Sequence, residues 1–312
     1  MHDNAGMPPA PPSGDQHVLR HGDQTAVAVE LGGGLRAYSV GDRRVLDGFS
    51  SDEPAEDGRG QVLVPWPNRI RDGSYEWDGE RHHVPINEPD RHNAIHGLLR
   101  QTPWLLLDRA EHRVRLGATI SAQPGYPFEL AVAIEYELGP AGLAVRVTAE
   151  NRAARHAPYG FGQHPYLTVG TDRVDESVLV VPASVWLRTD ERGIPVTSEP
   201  VEGTDHDFRK PRRIGAQQLD TAYTALIRGA DGRAVVRLAA PEGDRGIDLW
   251  LARGLDYLQV FTGDTAKRPE RRRRSLAVEP MTCAPNAFQT GDGVVALPPG
   301  GRHEARWGIT PW

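Results

Sequence analysis

Apolar and polar residues alternate along many short stretches of this chain. Between residues 128 and 138, every second side chain is a large apolar one. A period of two places such side chains on one face of a β-strand. The same period occurs in four further stretches, 25–31, 114–120, 143–149 and 247–251. The pattern therefore predicts a series of strands, each with one buried face.

Segments rich in proline, glycine and aspartate lie between the alternating stretches. Examples are QPGYP (123–127), LGPAGL (138–143), GADGR (229–233) and PEGDRG (241–246). Such segments are typical of turns between neighbouring strands. No stretch of twelve residues combines a 3.6-residue period with freedom from proline and glycine, so helices should be few and short. We predict an all-β protein, a large antiparallel β-sandwich.

The domain organisation predicted from the sequence is simple. Large β architectures can exceed ~200 residues as one domain, and we find neither an internal repeat nor a linker after residue 20. We therefore expect one domain over residues 17–312. The first 16 residues, MHDNAGMPPAPPSGDQ, lack the basic and apolar regions of a secretory signal. We predict that residues 1–16 form a disordered tail.

Composition narrows the possible partners and the cellular location. The net charge of −6 argues against nucleic acid, and the absence of an 18-residue apolar run argues against a membrane span. The single cysteine, Cys283, excludes an internal disulfide and favours a cytoplasmic location. Of 36 basic residues, 34 are arginine, so the run RPERRRRS (268–275) is better interpreted as a solvated loop than as a phosphate or nucleic-acid site.

Several polar residues stand in segments whose composition differs from that of an ordinary strand. These segments are PWPNRIRDG (65–73), RHNAIHGLLR (91–100), GQHPYL (162–167), LDTAY (219–223), YLQVFTGD (257–264) and AVEPMTCAPNAF (277–288). The candidate functional residues within them are Asn68, Arg69, His92, His96, His164, Asp220, Gln259 and Glu279. Proline and glycine near His164 oppose a helix there and predict a rigidly held imidazole.

Metal binding is one possible role for the histidines. His92 and His96 have the i, i+4 spacing of a zinc pair on a helix. Pro89 shortly before them and Gly97 after them leave little room for such a helix. No glutamate takes the place of a metalloprotease base. We therefore predict no metal site.

Glu279 is the sharpest acid–base candidate. It ends the apolar run SLAVEP, where a carboxylate would be partly removed from water. Burial raises a carboxyl pKa above its usual value of ~4.3 and makes the carboxylate a better base near neutrality. The alternative is an edge-strand glutamate that faces water, and the pattern alone leaves both interpretations open.

The order of the motifs resembles that of a known family. PNRI, VPINEPDRHNAIHG (84–97), HPY, LD before an aromatic residue, and EP followed by APNAF occur in the order found in aldose 1-epimerases, the galactose mutarotase family. The resemblance spans roughly residues 60–300, and residues 29–49 are similar to the family's opening strands. It implies a galactose mutarotase-like supersandwich with an open cleft for a small-molecule sugar.

The resemblance also implies roles for individual residues. Glu279 matches the general base and His164 the general acid. The remaining matches are substrate-binding residues: His96 near the ring oxygen, Asn68 and Arg69 of the NRI motif, Asp220 as an acceptor from sugar hydroxyls, and Gln259 as a supporting residue. The chain departs from the family pattern at Leu98, which replaces a second glycine, and at residues 166–168, which replace YFN.

The function implied by the resemblance is aldose 1-epimerase activity, the interconversion of α and β anomers of a free aldohexose such as galactose or glucose. It needs no cofactor and no metal. Three alternatives stay open: a hexose-6-phosphate 1-epimerase, a glycoside hydrolase with Asp220 and Glu279 as paired carboxylates, and a non-catalytic sugar-binding module. We expect a monomer or a weak homodimer.

Overall fold

Almost all of the regular secondary structure in the described residues consists of antiparallel strands. A computed structural model describes residues 10–312. The first thirteen strands are β1 (Gln16–His21), β2 (Gln24–Val29), β3 (Leu35–Val40), β4 (Arg43–Arg44), β5 (Val62–Leu63), β6 (Arg69–Arg71), β7 (Ser74–Trp77), β8 (Glu80–His83), β9 (Asn93–Ile95), β10 (Leu105–Arg109), β11 (Arg113–Ile120), β12 (Leu130–Gly139) and β13 (Gly142–Asn151). The remaining strands are β14 (Ala157–Tyr159), β15 (Gly162–Gln163), β16 (Tyr166–Leu167), β17 (Val178–Val180), β18 (Ala183–Thr189), β19 (Pro195–Pro200), β20 (Arg212–Arg213), β21 (Asp220–Leu226), β22 (Ala234–Ala239), β23 (Gly246–Leu251), β24 (Tyr257–Phe261), β25 (Leu276–Met281), β26 (Val295–Leu297) and β27 (Arg302–Pro311).

Helices are few and short in the described part of the chain, as predicted. The α-helix α1 covers Ala287–Thr290, and three 3-10 turns cover Pro89–Arg91, Val174–Glu176 and Pro269–Arg271. Between residues 10 and 312, no helix has the length and apolar character needed to cross a membrane. The strands therefore define the architecture.

Two large sheets form a sandwich, which confirms the predicted all-β fold. One sheet has nine strands in the order β10-β11-β12-β13-β27-β23-β22-β17-β20. The other has eight, in the order β19-β18-β21-β24-β25-β15-β5, with β16 also paired to β25. Each neighbouring pair is antiparallel. In both sheets, strands that are distant in the sequence lie next to each other, and local sequence patterns alone do not predict such pairings.

The core lies between these sheets. In β12, buried and partly exposed residues alternate, as the period of two requires. Apolar side chains from the nine-stranded sheet, such as Ile134 and Trp307, and from the eight-stranded sheet, such as Val260 and Val278, belong to one buried cluster. By contrast, every residue of β25 is buried, so this strand is covered on both faces. The residues that cover the face of β25 turned away from the core also enclose the polar residues described below.

The predicted N-terminal tail needs a shorter boundary. Residues 1–9 of the tail lie outside the described residues, so disorder there stays a prediction. Ser13 is fully buried, and β1 begins at Gln16. Packing against the body of the protein therefore starts before residue 17. The single domain over 17–312 stays a prediction.

The arginine-rich run 268–275 is more ordered than a solvated loop. Arg273 is buried and pairs with Asp175 and Asp264. Arg268 and Arg271 both pair with Glu53. These contacts attach the run to neighbouring loops. Ion pairing therefore explains much of this charge without a phosphate or nucleic-acid ligand.

Candidate active site

Strands β24 and β25 and the segment between β15 and β16 place Gln259, Glu279 and His164 in one row. Gln259 of β24 pairs directly with Glu279 of β25. On the other side of β25, Gly162 pairs with Met281 and Tyr166 pairs with Ala277. His164 lies midway between residues 162 and 166, so it stands opposite Glu279. Successive residues of a strand alternate between faces, and the three side chains therefore share one face of the sheet.

Glu279 is buried because its face of β25 is covered. Val278 points into the core between the sheets, so Glu279 points to the opposite face. There, Ala222 of β21 and residues Cys283 and Ala287 form a second, small apolar cluster. Glu279 is only 2% exposed. It lies on an interior strand, so the alternative of an edge-strand glutamate facing water is wrong.

His164 contacts Glu279 directly. Its Nε2 lies 3.3 Å from Oε1 of Glu279, and both side chains are buried. The backbone N–H of His164 donates to the carbonyl of Gln61, and its carbonyl accepts from the N–H of Gly60. Gly58 has a φ of +71°, and a Cβ at this position would lie 2.9 Å from Cδ2 of His164. The loop around residue 58 therefore touches the imidazole where only glycine fits.

His96 and Asn68 are joined at the ends of β6 and β9. The N–H of His96 donates to the carbonyl of Asn68 over 2.8 Å. In return, the N–H of Asn68 donates to Nδ1 of His96 over 3.2 Å. Nδ1 is then an acceptor, so the proton of the neutral ring lies on Nε2. The His96 ring is edge-on to that of His164, with 5.4 Å between ring centroids.

This tautomer bears on metal binding. His96, His164 and Glu279 offer nitrogen and oxygen atoms that lie within 4.8 Å of one another. A metal on Nε2 of His96 would need an unprotonated nitrogen there, but the Asn68 N–H places the ring proton on that atom. His92 is not part of this cluster. It lies at the surface and is hydrogen-bonded to Asp72. The cluster therefore suits hydrogen bonding to hydroxyl groups better than metal ligation.

Arg69, Asp220 and Gln259 form a connected polar group beside Glu279. The guanidinium of Arg69 forms two 2.9 Å hydrogen bonds to the carboxylate of Glu88, and its Nη2 lies 3.9 Å from Asp220. The amide of Gln259 donates to Asp220 over 2.7 Å. Nη1 of Arg91 lies 3.6 Å from the same carboxylate. Asp220 is therefore held by one hydrogen bond and two longer ion pairs, and it stays exposed.

The fold thus brings together all seven residues to which the resemblance assigned a role, whereas the eighth candidate, His92, lies at the surface. Sequence reasoning missed Glu88 and Arg91, although both lie within the quoted segment 84–97. Glu88 and Arg91 flank Pro89 and Asp90, and this pair of opposite charges was the sequence signal that could have identified them. Their contribution is to orient Arg69 and Asp220.

Burial sets the protonation of the central pair. It raises the pKa of Glu279 well above its usual value, an effect that the negative charge of Asp220 increases and Arg69 opposes. Burial also lowers the pKa of His164, with smaller contributions from Arg59 and Arg100. The His164 imidazole therefore holds its proton less readily than a free histidine, whose pKa is ~6.5. The substrate-free pair favours a protonated Glu279 and a neutral His164.

Three polar atoms in the row have no partner within the protein. They are Oε2 of Glu279, Nδ1 of His164 and Oε1 of Gln259, and all three are buried. Buried polar atoms are nearly always hydrogen-bonded in native proteins, so each unpaired atom calls for an explanation. Oε2 and the Gln259 oxygen lie on the face that carries Glu279. A polyhydroxyl ligand at this face would supply donors to both.

The raised pKa of Glu279 predicts a change in stability. A carboxyl group whose pKa is higher in the folded than in the unfolded state contributes to stability. The contribution is complete below the unfolded-state pKa of ~4.3 and is lost as the pH rises through the folded-state pKa. Because glutamine does not ionise, the variant Glu279→Gln does not lose stability in this way as the pH rises. We expect the variant to unfold at a temperature higher than the parent's by about 2 °C or more at pH 8, with a smaller difference at pH 4.

Calorimetry or circular dichroism at both pH values checks this result. Glu242→Gln, a change at an exposed glutamate, is the control and should leave the unfolding temperature unchanged within about 1 °C. A variant less stable than the parent at pH 8 would show that the carboxylate is stabilising in its ionised form.

Comparison with known proteins agrees with the fold and identifies the family. The Aldose 1-epimerase family model matches residues 15–310. Escherichia coli YihR, described as an uncharacterized protein, is 33% identical over 298 residues, which cover 95% of this chain and 93% of YihR. Rat galactose mutarotase is 31% identical over 181 residues, which cover 54% of this chain and 50% of that protein. A crystal structure titled as a putative aldose 1-epimerase from Escherichia coli K12 superimposes with a TM-score of 0.82 at 18% identity and covers 96% of this chain and 99% of that one. The chain therefore belongs to the aldose 1-epimerase family.

Proposed function

We propose that this protein interconverts the α and β anomers of a free aldohexose by opening and reclosing the sugar ring. One observation carries the proposal: a carboxyl group and an imidazole, both buried, lie 3.3 Å apart with further polar atoms unpaired. The hydroxyl oxygen on C1 and the ring oxygen O5 are bonded to the same carbon. Two groups this close can therefore reach both oxygens of one hemiacetal.

The reaction needs two proton transfers. Glu279, as the carboxylate, removes the proton from the C1 hydroxyl, and protonated His164 donates a proton to O5 as the C1–O5 bond breaks. The products are an open-chain aldehyde, a protonated Glu279 and a neutral His164. Rotation about C1–C2 then presents the other face of the aldehyde. The same residues act in reverse to close the ring as the second anomer.

Burial favours the ring-opening direction of this cycle. A low-dielectric site destabilises the carboxylate–imidazolium state that exists before opening and favours the neutral pair that exists after it. The open aldehyde is the unfavourable form of the sugar. Measured from the ion pair, the pKa shifts of Glu279 and His164 offset part of the free energy that ring opening requires, but forming that ion pair from the neutral resting pair first costs free energy.

The remaining predicted residues suit substrate binding. Asp220 is exposed beside the row and can accept hydrogen bonds from sugar hydroxyls. Nε2 of His96, which carries the proton, can donate to an oxygen near the ring. Arg69 is held by two hydrogen bonds to Glu88, and its Nη2 lies 3.9 Å from Asp220. These contacts would fix the hemiacetal against the catalytic pair.

The alternative functions have less support from the geometry. A glycoside hydrolase would use two carboxyl groups across one bond, but the close partner of Glu279 is His164, and Asp220 is tied to Gln259. A hexose-6-phosphate epimerase would need a free cation. In the run 271–274 that suggested one, Arg271 and Arg273 are paired with carboxylates, whereas Arg272 and Arg274 form no ion pair with a described residue.

Polarimetry tests the proposed activity. We expect the protein to accelerate the mutarotation of freshly dissolved α-D-glucose or α-D-galactose far beyond the buffer rate, with glucose 6-phosphate and the reducing disaccharide maltose as comparisons. In a separate assay with a methyl glycoside as the substrate, we expect no release of free sugar. Sugar binding without acceleration would support the binding module, and glycoside cleavage would support the hydrolase.

A further inference from the structure

Behind His164 lies a layered stack of side chains that the proposed reaction does not yet use. The ring of Tyr166 is stacked on that of His164, with 4.9 Å between centroids and 15° between planes. The guanidinium of Arg59 lies over the ring of Tyr166, 3.8 Å from its centroid. The order is therefore imidazole, phenol, guanidinium. Glu279 contacts the Nε2 edge of the imidazole.

The stack is anchored by the loop of residues 57–61, which we call the clamp loop. The hydroxyl of Tyr166 donates to the carbonyl of Asp57 over 3.1 Å. Gly58 abuts the His164 ring, and the backbone groups of Gly60 and Gln61 bond to those of His164. One short loop therefore holds the backbone of the histidine, one edge of its ring and the tyrosine that covers its face.

Arg59 places a buried positive charge in this arrangement. It is 3% exposed, and its Nη1 contacts Asp47 and Ser275. Its Nη2 is buried without a hydrogen-bond partner. A guanidinium over an aromatic face gains cation–π stabilisation. Tyr166 therefore serves as a spacer that brings this charge close to His164 without direct contact.

We propose that Tyr166 and Arg59 are positioning residues for the proposed epimerase reaction: Tyr166 fixes the plane of the His164 ring with Nε2 towards Glu279, and Arg59 opposes positive charge on that ring. The inference rests on the proposed function for its catalytic consequence. An imidazolium beside a buried cation is a stronger acid, and it protonates the weakly basic O5 more readily.

Other groups around His164 act on the same ring. The titratable or charged groups that face it or lie near it are Glu279 on β25, His96 after β9, Tyr166 on β16, Arg59 in the clamp loop, and Arg100. Glu279 is an acceptor for the ring proton, and Arg100 adds a further positive charge. Removing Arg59 alone therefore weakens the effect without abolishing it.

A nuclear magnetic resonance titration of the histidine rings tests the charge effect without relying on activity. The parent is compared with Arg59→Met combined with Asp47→Asn, which removes the charge and its buried partner together. His164 is assigned by the signal lost in His164→Asn. We expect the midpoint for protonation of His164 to rise by about one pH unit in the double variant, a tenfold change in the proton equilibrium. Arg59→Lys, which keeps the charge, should restore the parent midpoint.

Kinetics test the positioning role. Tyr166→Leu removes the aromatic face and should lower kcat about tenfold with KM changed less than about twofold, whereas Tyr166→Phe keeps the ring and should remain within about threefold of the parent. Arg237→Met, which removes a surface cation paired with Asp248, is the control for loss of charge. Tyr166→Leu also tests the stack should the Arg59 variants fail to fold.

The outcomes separate this inference from the proposed function. A parent protein that does not accelerate mutarotation overturns the proposed function, while the titration still decides whether Arg59 controls His164. An unchanged midpoint after loss of the Arg59 charge, or equal activity of the Leu and Phe variants at position 166, overturns the inference while the proposed function stands.

Discussion

Glu279→Gln is expected to lower kcat for mutarotation by about 10²–10⁴-fold, the usual contribution of one positioned acid–base group. Glutamine has the shape of glutamate but cannot remove the proton from the C1 hydroxyl. The variant keeps an amide that can hydrogen-bond to a hydroxyl, so KM should change by less than about threefold. Polarimetry over a range of sugar concentrations gives both constants.

Asp220→Asn is the matched comparison for this prediction. It makes the same carboxylate-to-amide change within the same polar group, but at a residue proposed to bind sugar hydroxyls and not to transfer protons. We expect its main effect on KM, with kcat reduced far less than in Glu279→Gln. If both variants lose kcat equally, the two carboxylates act together, and the hydrolase-type pairing gains support.

The expected gain in stability and loss of activity at Glu279 have one physical cause. A carboxyl group kept from water has a raised pKa, which makes its carboxylate a strong base and also costs folding free energy at neutral and alkaline pH. Residues selected for function commonly reduce stability in this way. A purely structural glutamate would not show an increase in unfolding temperature together with a large loss of kcat.

The sequence predicted those features that depend on local pattern. The alternation in 128–138 and 143–149 corresponds to β12 and β13. The apolar run before Glu279 allowed either burial or exposure, and the structure shows burial. Proline and glycine around His164 indicated a rigid imidazole. Each of these depends on side-chain periodicity or backbone restriction within about ten residues, which a single sequence displays directly.

Features that depend on pairing between distant segments could not be predicted from the residues themselves. That His164 stands opposite Glu279 follows from the register of β15 and β16 against β25, which joins segments more than a hundred positions apart. Family resemblance pointed to the same two residues, but not to their distance. The direction of the His164 pKa shift depends on burial and on Arg59, a residue that no motif marked. Tertiary packing decides both.

His164→Asn is expected to cause the second large loss of kcat, again about 10²–10⁴-fold, because asparagine cannot donate a proton to O5. The sharper test is the double variant with Glu279→Gln. Proton removal from the C1 hydroxyl and proton donation to O5 occur in one ring-opening step, so removing either group disables the cycle. The double variant should therefore lose little more kcat than the more damaging single variant, far less than the product of the two losses.

Polarimetry on the parent, the two single variants and the double variant completes this cycle. His92→Asn is the control, since His92 lies at the surface and bonds to Asp72 outside the catalytic row; its kcat should match that of the parent. Losses that multiply in the double variant would mean that Glu279 and His164 act on separate steps. Because a single hemiacetal must give one proton to Glu279 and accept one from His164 in the same bond-breaking event, that result would contradict the mechanism derived from their 3.3 Å contact.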